Sequence, residues 1–160
     1  MQYKNDFRKR YLKTMRWFVG SIALLAVLSA SAQLNISAIL LAKIQQKYGG
    51  ESVTRIQQWQ ALMKSAKNIP EQEKLRKVND FFNRRIEFVD DIYLWGVKDY
   101  WATPIEFLAR GAGDCEDYSI AKYFTLKELG VSEKKIRITY VKALKLRQAH
   151  MVLTYFATPR

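Results

Sequence analysis

The sequence predicts an α+β fold, and three observations carry that prediction. From Leu34 to Phe82 apolar residues recur at helical spacing, and after Cys115 they lie almost all round one helix. From Ile136 to Phe156 they alternate with period two. Helices first, then a buried helix feeding antiparallel strands, is the order of an α+β chain. With 160 residues, 49% hydrophobic and 13% aromatic, the chain can build one domain with a real core but not two large ones.

The N-terminus is organised differently. Lys4, Arg8, Lys9, Arg10, Lys13 and Arg16, opposed only by Asp6, precede the apolar run Trp17 to Ala32. A basic stretch, a short core of Leu, Ile, Val and Ala, and then Ala30-Ser31-Ala32 is the layout of a secretory signal, with cleavage after Ala32. The run also approaches the length of a membrane span, so residues 1–32 are read as a signal peptide or an N-terminal membrane anchor. Either reading exports residues 33–160, and the anchor would hold them at the membrane through residues 17–32. The formal charge of +12, from 27 Lys+Arg against 15 Asp+Glu, is partly this basic stretch. About +7 remains without it, and no nucleic-acid-binding motif accompanies the charge, so nucleic acid is not an expected partner.

In the exported part, the run from Ile36 to Tyr48 reads as a helix closed by Gly49-Gly50. A second helix follows, with Ser52 as its expected cap and Ile56, Trp59, Leu62 and Met63 on one face. A third starts near Pro70 and carries Leu75, Val78, Phe81 and Phe82. Residues 84–110 have no clean period but are dense in aromatics, which are expected mainly to fill the core. The helix from Cys115 stops at Leu129-Gly130. Ile136–Leu144 and Ala149–Phe156 alternate as strands, with Lys145–Gln148 able to turn them into a hairpin.

Cys115 is the chain's single cysteine and stands among Asp114, Glu116 and Asp117. With Asp114 as N-cap, the cysteine is the first helical residue, where free amides and the helix dipole favour an anion. Asp114 and Asp117 would bond the first-turn amides in a variant capping box. Nucleophilic thiols need a base, and His150 is the chain's single histidine. Three carboxylates, however, raise a thiol pKa. A hard cation such as calcium, which takes oxygen ligands, would resolve the conflict, with Asp114, Glu116 and Asp117 as candidate ligands. An oxyanion hole would combine the Cys115 amide with one side-chain donor, and Trp95, Tyr100 and Trp101 are the upstream candidates.

The stretch DYWATPIEFLARGAGDCEDYSIAKYFTLKELGV, followed by KIRITYVKAL and AHMVLTYF, resembles the bacterial transglutaminase-like cysteine proteinases of the LapG type, from about Phe81 to Tyr155. The combination of GxGDCEDY, AKYFTLKELG and HMVL carries the resemblance. It implies a papain/transglutaminase-like core, with the nucleophile helix packed on an antiparallel sheet. It also implies a periplasmic, calcium-dependent cysteine endopeptidase, with Cys115 as nucleophile, His150 as base, and Asp114, Glu116 and Asp117 in the calcium-binding stretch. The implied substrate is the N-terminal region of a large surface adhesin, cut at a paired-alanine site so that the biofilm disperses. The implied regulator is the periplasmic domain of an inner-membrane cyclic di-GMP receptor. The family's orienting aspartate lies on the strand after the histidine strand. No acid follows Lys135 here, so that residue is expected beyond residue 160, and the domain is read as lacking its C-terminal strand or strands. Two other readings stand beside the protease: an acyl transferase on the same Cys–His pair, and a non-catalytic calcium-binding interaction module.

Overall fold

Ser37 opens the first helix of the domain. Its backbone is extended and its hydroxyl accepts the Leu40 amide, so the chain turns helical over α1 (Ala38–Tyr48). This is a computed structural model that describes residues 36–144 and 147–158; the predicted signal or anchor lies outside the described residues. No helix among the described residues is long and apolar enough to cross a membrane. Gly49, at φ 85°, ends α1 and at once begins α2 (Gly50–Ala66). Ser52 is therefore not the cap expected from the sequence. It lies inside the first turn, buried, and its hydroxyl donates to the Gly49 carbonyl. Pro70 caps α3 (Glu71–Arg85), which needs no amide there.

The aromatic segment resolves into β1 (Glu87–Phe88), a single turn α4 (Asp91–Leu94) and α5 (Pro104–Arg110). Thr103 and Glu106 close α5 with a reciprocal capping box. Most of these aromatics do not fill the core. Phe107 is fully buried, whereas Phe88, Trp101 and Tyr93 are 52%, 56% and 83% exposed.

β2 (Ala112–Gly113) pairs in parallel with β1, Phe88 opposite Gly113, and leads directly into α6 (Cys115–Glu128). A short 3₁₀ turn, Glu133–Lys135, enters β3 (Ile136–Ala143), which pairs antiparallel with β4 (Gln148–Tyr155). The register sets Ile136 against Tyr155 and Val141 against His150.

The core lies between α2, α3, α5 and α6, where Ile56, Val78, Phe82, Phe107 and Leu108 are fully buried. Phe82 stacks on Phe107, which meets the Tyr118 ring edge-on at 4.9 Å. α6 is central, as the sequence predicts, but apart from Leu126 its buried residues are small or polar: Asp117, Ser119, Ala121 and Thr125. Phe124 faces outward at 49% exposure. Small residues let neighbouring elements approach the helix closely, and Thr125 is satisfied: it accepts from the Trp59 indole at 2.9 Å and donates to the Ala121 carbonyl. Two cations close helix ends elsewhere. Arg55 donates to the Leu108 and Ala109 carbonyls of α5, and Lys74 to the Leu129 carbonyl that ends α6.

Candidate active site

The β1–β2 pairing delivers the chain to the start of α6 along a path that glycine permits. A Cβ on Gly113 would lie 2.6 Å from the Phe107 ring and against the Asp117 carboxylate. Asp114 is the N-cap, in extended backbone, and Cys115 begins the helix. The Asp114 side chain accepts no first-turn amide, contrary to one half of the capping box expected from the sequence, whereas the Asp117 carboxylate does reach back to the Asp114 amide. Its carboxyl instead hydrogen-bonds Glu116.

Cys115 and His150 come together from different layers. α6 presents the thiol; β4 packs along α6 and presents the imidazole, and the neighbouring Met151 amide also points at the sulfur. Both residues line two cavities. One, of about 520 Å³, lies between α3, α6 and β4, with Val78, Asn83 and Tyr118 in its wall. The other, of about 370 Å³, is lined on its acidic side by Asp99, Asp114 and Glu116 and on its aromatic side by Trp101 and Tyr140. The thiol donates to Glu116 Oε2 at 3.1 Å. Burial, then this bond and the charges of Glu116 and Asp114, push the Cys115 pKa up to about 11, against the lowering effect of the Met151 amide. The conflict anticipated from the sequence is thus present in the site.

The carboxylates form a larger set than the sequence marks. Oxygens of Asp91, Asp114 and Asp117 lie within 4.8 Å of one another, as do those of Asp91, Asp99 and Glu116. Asp91 and Asp117 are 1% and 0% exposed. One oxygen of each is bonded to backbone: Asp91 Oδ2 accepts the Tyr100 amide, and Asp117 Oδ1 accepts the Ala102 amide at 2.8 Å. The other, Asp91 Oδ1 or Asp117 Oδ2, is buried without a partner, and so is Asp114 Oδ1. Buried carboxylate oxygens without donors are costly. Burial raises the Asp114 pKa to about 8 and that of Asp117 to about 6, and it raises Asp91 as well. Burial also pushes Glu116 upward, but bonds from Asp114 and Cys115 outweigh it and the net shift is downward. Three orphaned oxygens converging from two segments are a donor set that fits a hard divalent cation. Asp114 and Asp117, two of the ligands expected from the sequence, fall in one group with Asp91. Glu116 falls in a second group with Asp91 and Asp99, and in a third with Asp114 and Cys115.

The oxyanion candidates separate. Trp101 lines the smaller cavity, with its indole N–H bonded to Asp99 Oδ1 at 2.9 Å. Trp95 and Tyr100 line neither cavity; their rings pack on each other at 4.5 Å, and the Tyr100 hydroxyl donates to Glu106. The Cys115 amide, in the first turn of α6, remains as a backbone donor. Asp91 and Asp99 escape sequence reasoning because they belong to the irregular segment and meet α6 only in the fold.

Comparison with known proteins agrees with this arrangement. The profile of the family described as bacterial transglutaminase-like cysteine proteinase, BTLCP, matches residues 36–158. No curated protein matches the chain. Among solved structures, Legionella pneumophila LapG is similar at 43% identity and a TM-score of 0.66, over 78% of this chain and 68% of that one. Calcium-bound LapG from the same organism gives 44% and 0.65, again over 78% and 68%. EGTA-treated LapG gives 43% and 0.66, over 78% and 67%. The thiol at a helix start, the imidazole lining the same two cavities and the match across the whole described domain lead to one assignment: the chain belongs to the bacterial transglutaminase-like cysteine proteinases and is a cysteine protease.

Proposed function

We propose that the chain is a calcium-dependent, periplasmic endopeptidase that cuts the N-terminal region of a large surface adhesin at a paired-alanine site and so promotes biofilm dispersal. The observation that carries the reading is the meeting of Cys115 and His150 between two open cavities, beside buried carboxylates with unspent oxygens. His150 takes the Cys115 proton, and the thiolate attacks the scissile carbonyl to form a tetrahedral adduct. The Cys115 amide donates to its oxyanion. The imidazolium then protonates the departing amine, and water hydrolyses the thioester. Asp91, Asp114 and Asp117, with Asp99 and Glu116 beside them, would hold the calcium, whose charge neutralises carboxylates that otherwise keep the thiol protonated. Calcium-bound LapG supports this choice of cation.

The adhesin, the cyclic di-GMP receptor that sequesters the protease through its periplasmic domain, and the exported location rest on the resemblance around GAGDCEDY and on the basic, apolar N-terminus. Incubating the full chain with an adhesin N-terminal fragment tests the reading. Calcium should give one cut between alanines; EGTA, C115A or an excess of the receptor's periplasmic domain should abolish it. An adhesin fragment left intact in millimolar calcium would count against the substrate assignment.

A further inference from the structure

The larger cavity holds a cation that the cysteine chemistry does not use. Lys122 lies seven residues beyond Cys115 on α6, close to two full turns, so both side chains emerge on one face and both line this cavity. Its ammonium donates to Asn79 Oδ1 at 2.9 Å and Asn83 Oδ1 at 2.7 Å, both from α3, and stands 5.3 Å from the centre of the Tyr118 ring. No carboxylate pairs with it among the described residues, whereas Lys77, Lys127 and Lys135 each have one. An ammonium has three donors, and the two asparagines engage two of them. Nearby the wall is apolar, with Val78, Leu126, Val152 and Leu153. Desolvation lowers the Lys122 pKa, which marks a charge that neutral amides only partly compensate.

We propose that Lys122 is a specificity-determining residue that receives a carboxylate side chain, Asp or Glu, of the peptide that Cys115 attacks. The inference rests on the endopeptidase reading above. A carboxylate fits better than a carbonyl, because only the anion compensates the charge as well as the free donor, and charge-assisted bonds are the stronger class. Asn79 and Asn83, one turn apart on α3, hold the ammonium in place before substrate arrives. Seven residues of helix rise about 10 Å, and an extended peptide advances about 3.3 Å per residue. The selected acid therefore lies about three residues from the scissile bond.

The test is binding of labelled ten-residue peptides to the full chain carrying C115A, which leaves them uncut. Each peptide has a central Ala-Ala and one Glu, at the second, third or fourth position on either side, and each has a Gln twin. At one position, the third by the spacing above, Glu should bind about tenfold more tightly than Gln. The ratio should survive in K122R and collapse towards one in K122M. It should also collapse in N79D, which sets a carboxylate beside the ammonium. Because the ratio compares twins on the same variant, partial loss of folding cancels, and N79D gives the result independently if K122M does not fold. A ratio near one at every position, no binding of any Glu peptide, or a preference that survives both K122M and N79D overturns the inference. Glu-selective binding by C115A, with the Cys115 chain leaving the same peptides uncut in calcium, would instead sink the endopeptidase reading and leave the carboxylate site standing.

Discussion

Stripping calcium from the protein should slow alkylation of Cys115 by about twentyfold at pH 7.5. Burial and the Glu116 and Asp114 carboxylates hold the thiol at about 11. A cation that cancels those charges, and whose own attraction for the thiolate offsets the burial, need only restore the ordinary value of about 8.5 for the effect to be large. The thiolate fraction at pH 7.5 then rises from about 0.0003 to about 0.09, close to 300-fold. A less basic thiolate is also a weaker nucleophile; with a Brønsted slope of about 0.45 this removes a factor of about 13. Roughly twentyfold remains. The assay is the iodoacetamide rate from pH 6 to pH 11, in calcium and in EGTA, with C115A as the blank; the chain has one cysteine, so the signal has one source. The inflection should lie near 11 in EGTA and at or below about 8.5 in calcium. Identical profiles in calcium and EGTA, or an inflection near 8.5 under chelation, would refute the electrostatic reasoning.

Asp91→Asn keeps an oxygen for the Tyr100 amide but removes a charge shared by both carboxylate groups, so calorimetry should show calcium binding at least about tenfold weaker; unchanged affinity would exclude Asp91 as a ligand. Gly113→Ala forces a Cβ against the Phe107 ring and the Asp117 carboxylate. Urea unfolding should register a loss of about 1–3 kcal/mol, together with weaker calcium binding, and wild-type values for both would show that the backbone yields there. In EGTA, the folded chain holds protons on Asp114 to about pH 8 and on Asp117 to about pH 6 that the unfolded chain releases near pH 4. Its melting temperature should therefore fall as pH rises from 5.5 to 8.5, because the folded state binds the extra protons across that window. Saturating calcium should reverse the trend, and a melting temperature that climbs with pH in EGTA would contradict it.

The sequence by itself determined the local elements and singled out the thiol and the imidazole that line the same two cavities. Ile56, Trp59 and Met63 give α2 its face and Val78, Phe81 and Phe82 give α3 its face, because a 3.6-residue period fixes which side chains share a side. The two-residue period from Ile136 to Tyr155 fixes the hairpin in the same way. A lone thiol after an N-cap residue type and a lone imidazole in a strand are visible because cysteine and histidine each occur once. Where the segment between α3 and α6 goes was decided only in three dimensions. Its aromatics, expected inside, mostly lie on the surface, while Asp91 is buried against Asp114 and Asp117. Its path depends on the parallel β1–β2 pairing, on the Tyr100 amide that binds Asp91 within the segment and on the Ala102 amide that binds Asp117 of α6. Ser52, Phe124 and Lys122 teach the same lesson on a smaller scale. The residue type sets what each can bond, but only the neighbours packed around it decide whether a hydroxyl caps a helix, a ring is covered or an ammonium meets an acid. Backbone periodicity is a property of each segment alone, whereas a cation site or a substrate pocket is a property of segments that meet only when the core closes.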